Sequence, residues 1–82
     1  MAEFTADHPA AAVTATHRAG LRELFEGLCR QARIAEPHAV ALLLTMLYDA
    51  AIITAYLDRD QGAAATARAA AEALLQHHTA PV

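Results

Sequence analysis

The residues able to do chemistry are few, and their spacing limits what they can do. Five histidines stand at His8, His17, His38, His77 and His78. A helical zinc site needs two histidines four apart on one face, and no pair here has that spacing. Helix-end or solvated histidines are the expectation. Cys29 is the only cysteine, so it adds no second sulfur ligand and forms no disulfide within the chain. As a nucleophile it would need a base beside it, and only the tertiary fold could bring His17 or His38 there. There is no G-x-S-x-G elbow, no glycine-rich phosphate loop and no paired-acid motif. No catalysis, no metal and no cofactor are expected.

Asp49 is the most informative ionisable residue. It lies midway along His38 to Asp58, HAVALLLTMLYDAAIITAYLD. At ~100° per residue, Thr45, Asp49, Ile52 and Tyr56 share one side of a helix. A buried charge must be paired, so an aspartate bonded to a neighbouring helix is one reading. The other is a polar spot that lines a ligand cavity or fixes an interface.

The stretch around Asp49 organises the chain. Val40, Leu42, Leu43, Leu44, Met46 and Leu47 run almost without a break, followed by Ile52, Ile53, Tyr56 and Leu57. A helix apolar all round must be covered all round. Its length also suits a membrane span of ~20 residues. Asp49 would cost ~3 kcal/mol at the centre of such a span, however. The flanks carry Glu36, Asp58 and Asp60 rather than lysine, so no membrane span is expected.

The rest of the chain supplies little cover. With 82 residues and a net charge of −3 it makes one domain at most, at the small end for a self-sufficient core. Such chains need a staple, and with disulfides excluded a partner chain is the expected one. A lone cysteine suits a reducing cytoplasm, and Met1 to Val13 has neither the basic start nor the apolar core of a signal peptide. There is no lysine, and six arginines face nine acids. That balance argues against nucleic-acid binding by this chain alone.

An all-α fold of three helices is expected. Residues 1–8 read as an extended lead-in, and Asp7 with Pro9 marks a helix start. The first helix, about 9–33, sets Leu21, Leu24, Phe25, Leu28 and Ala32 on one face, with Arg22, Glu26 and Arg30 on the outer one. Gly20 and Gly27 each weaken it by ~1 kcal/mol. Ile34 to Pro37 is a tight connection. The central helix spans about 37–58. Asp60 is the expected N-cap of a third helix, about 61–77, whose Ala63, Ala67, Ala70, Ala71 and Leu74 form a small-residue face.

Three runs, in order, resemble the C-terminal end of TetR-type transcriptional regulators. Leu21-Arg22-Glu23-Leu24 to Ala32 is similar to their helix seven. Leu43 to Ala51, LLTMLYDAA, is similar to helix eight, whose usual core is a leucine run followed by Y-D-G-A. Ala64 to Leu75 is similar to their last helix. Glu3-Phe4 and His8-Pro9 also fit the loop before helix seven. Ala50 stands where glycine is usual, which would push a helix crossing slightly apart. The resemblance covers nearly the whole chain. It implies a C-terminal dimerisation and effector-binding piece from which the N-terminal helix-turn-helix domain is absent. It further implies a homodimer in which the last two helices pair with their copies in a four-helix bundle, and a small-molecule effector.

On that reading Leu43, Leu47, Ala50 and Thr54 of the central helix form the dimer seam. Ala67, Ala70, Ala71 and Leu74 of the third helix join them. The effector side would hold Leu24, Leu28, Thr45, Asp49, Ile52 and Tyr56. The reverse assignment keeps Ala50 inside one chain and puts Asp49 at the seam. A function of a different class also stands open: a stand-alone helical interaction protein that binds neither DNA nor effector.

Overall fold

The computed structural model describes residues 9–79, with side chains from residue 12 onward. The expected lead-in over 1–8, the Asp7 helix start and the Glu3-Phe4 and His8 features lie outside the described residues. Three helices follow one another: α1 (Pro9–Gln31), α2 (Pro37–Leu57) and α3 (Ala63–His78). Among the described residues the single β feature is an isolated bridge between Ile34 and Thr79.

The first connection is built by a helix-ending motif without glycine. The Ile34 N–H donates to the Cys29 carbonyl at 2.9 Å, and the Arg33 N–H donates to the Arg30 carbonyl at 3.1 Å. These two bonds define a Schellman ending, whose left-handed residue is usually glycine. Here that residue is Arg33, at φ 58°. Glu36 is also left-handed, at φ 53° and ψ 58°. The ring of Pro37 disfavours right-handed helix at residue 36, so the chain turns there before proline opens α2.

The second connection corrects one sequence expectation. α3 begins at Ala63 with Gly62 as its cap, not at residue 61 with Asp60. The Asp60 carboxylate instead accepts the Gly62 N–H at 2.7 Å, two residues on. An aspartate can close such a local turn with its own side chain, and that competes with capping a helix. Arg59, at φ 52°, carries the chain past the end of α2.

Both flanking helices pack on α2, and their backbones do not pack on each other. The Cα trace therefore spreads as a slab of 51 × 29 × 14 Å. With α2 between α1 and α3, the three helices form one layer rather than a closed bundle. Its apolar cluster sits at one end. Cys29, Ile34 and Val40 are buried together, with Leu44, Leu74 and Leu75 packed against them. The Ala35 N–H donates to the His78 carbonyl at 2.7 Å, tying the first connection to the end of α3.

Arg33→Gly should raise stability by about 1 kcal/mol, because glycine takes the left-handed conformation without the Cβ clash. Thermal unfolding followed by circular dichroism checks this. A lower midpoint would show that the Arg33 side chain matters more than its backbone.

Candidate interaction surface

The geometry around α2 follows from which sides its neighbours cover. α1 meets the side that carries Asp49. Arg18 Nε lies 2.8 Å from Asp49 Oδ2, with the two side chains 44% and 32% exposed. An ion pair this wet contributes ~0–1 kcal/mol. Asp49 is thus paired with a neighbouring helix, as the first sequence reading had it, but it is not deeply buried. Thr45, one turn earlier, is fully buried. Its hydroxyl donates to the Ala41 carbonyl at 2.8 Å, back within its own helix. No polar side-chain atom is buried without a hydrogen bond among the described residues.

α3 covers a second side of α2, and Leu47, Ala51 and Ala67 border the hollows on both faces there. Two faces of the slab remain open between these contacts. On one, a groove of about 450 Å³ is lined by Phe25, Leu44, Tyr48, Ile52 and Ala55, and by Ala64, Arg68 and Ala71 of α3. On the opposite face Leu43, Met46, Ala50, Ala70 and Leu74 border a hollow of about 430 Å³. That hollow continues into a smaller one of about 190 Å³ at Thr54, Ala63 and Thr66. Large apolar side chains stay exposed on each face: Ile52 at 51% on the first, Met46 at 53% on the second. A separate cavity of about 320 Å³ sits beside the small interior, under Leu28, Ala32 and Leu75.

The residues expected at a dimer seam gather on one tract. Leu43, Leu47, Ala50, Thr54, Ala67, Ala70 and Leu74 all border the hollows of the second face. Ala71 points instead to the groove of the first face. The residues expected at an effector pocket do not converge. Ile52 lines the groove, and Leu28 lines the small cavity. Thr45 is enclosed, Asp49 is paired with Arg18, Leu24 is exposed, and Tyr56 is 80% exposed. Sequence reasoning missed Tyr48, Ala55 and Arg68 as groove residues. The signal was present in the all-round apolarity of α2, which leaves an open side wherever no helix lies.

Titratable groups near the interior have physical partners. The Glu26 carboxylate accepts from Arg30 Nη2 at 2.6 Å and lies 3.0 Å from His38 Nδ1, bridging α1 to the start of α2. The bond from Arg30, and then that from His38, hold its pKa below the ordinary 4.5. Burial pushes the Cys29 thiol up, and the nearby Glu26 charge adds to this. A thiol so placed is a weak nucleophile. The described residues contain no group of three or more metal-ligating side chains. α2 is long and apolar enough to cross a membrane by length and composition, with a mean hydropathy of 1.9. No family model matches the chain, and no curated protein or solved structure matches it either.

Two outcomes test this local chemistry. A carboxylate whose pKa is lowered by folding stabilises the fold above its unfolded pKa, and that contribution is lost as pH falls through the folded one. Glu26→Gln should therefore be less stable than the parent at neutral pH, with the difference gone below the folded pKa, under 4.5. Denaturation midpoints across pH would show it, and a pH-independent gap would contradict it. Cys29 should resist alkylation by iodoacetamide at pH 8 in the folded chain and react promptly once denatured.

Proposed function

We propose that this chain is the C-terminal dimerisation and partial effector-binding region of a TetR-like transcriptional regulator, acting as a homodimer in the cytoplasm. One observation carries the reading. The stripe Leu43, Leu47, Ala50 and Thr54, exposed at Leu43 and Ala50 and half-buried at Leu47 and Thr54, adjoins Ala70 and Leu74 in one mainly apolar tract across two helices. A two-fold axis through that tract sets four helices together and buries the same residues on each side. Ala50 and Ala70 are small where the helices would cross, which permits close approach. Asp49 points to α1 rather than to this tract, in keeping with that choice of seam.

In a longer protein, DNA would be read by a domain other than this one. A net charge of −3 with no lysine does not suit a phosphate backbone. The effector role rests on the groove at Ile52, a mainly apolar hollow of the size small ligands occupy. A stand-alone interaction protein is the second reading, favoured by the failure of the expected effector residues to converge.

Ala50→Glu should abolish the dimer, as overpacking and an unpaired buried charge together cost several kcal/mol at a close-packed seam. Asp49→Ala should leave the association state unchanged. Size-exclusion chromatography with light scattering reads both. If Ala50→Glu associates like the parent while Asp49→Ala does not, the seam lies on the other side of α2.

A further inference from the structure

We draw no further inference here: the strongest candidate, the apolar cavity beside Cys29 under Leu28, Ala32 and Leu75, shares Phe25 and Leu44 with the groove already assigned to the effector, and its lining holds no charged group or hydroxyl to say what it would take.

Discussion

The rest of the structure depends on the clasp between the first connection and the end of α3. The Ala35 N–H reaches the His78 carbonyl, and Ile34 bridges Thr79. Beneath this clasp Cys29, Ile34 and Val40 form the interior, with Leu44, Leu74 and Leu75 around them. α1 and α3 have no direct backbone packing elsewhere. Opening the clasp would leave each flanking helix hinged on α2 alone. The burial it secures is small, and so the fold is anchored at one end and open along its length.

That anchoring explains the two faces. A single layer of helices cannot bury both sides of an apolar central helix, because burial needs atoms on every side. α1 and α3 take two opposite flanks of α2 and leave the surfaces between them bare. The side chains left outside, among them Ile52 and Met46, are of the kind that stabilises a fold by ~1.5–3 kcal/mol each when buried. Much of the apolar surface of α2 is therefore left uncovered within one copy of the chain.

Polar chemistry plays a supporting part. Arg18 with Asp49 and Glu26 with His38 join α1 to α2 at two levels. They are wet enough to contribute little energy, but like charges or apolar groups there would not select the same alignment. Thr45 satisfies its own hydroxyl within α2, so the contact with α1 carries no unpaired polar group. Cys29 borders the cavity beside the interior, but burial raises its thiol pKa and keeps it a weak nucleophile.

The sequence by itself determined the three helices. Pro9 and Pro37 suit first turns, alanine-rich runs favour helix at every position, and the polar stretch from Asp58 to Gly62 interrupts the pattern. Local propensity decides such features, since each depends on residues a few positions away. It also determined that α2 would lack cover, because its apolar residues span the whole circumference. The tertiary structure alone decided how the cover is shared. Whether two helices flank a third as a layer or wrap it as a bundle depends on the angles of the connections. Those angles rest on left-handed backbone at Arg33, Glu36 and Arg59, residue types that give no sign of it. For the same reason the groove at Tyr48 and Arg68 was not legible, whereas the stripe through Leu43 and Ala50 was. The stripe is a repeat along one helix, but the groove exists only where α1 and α3 stand apart.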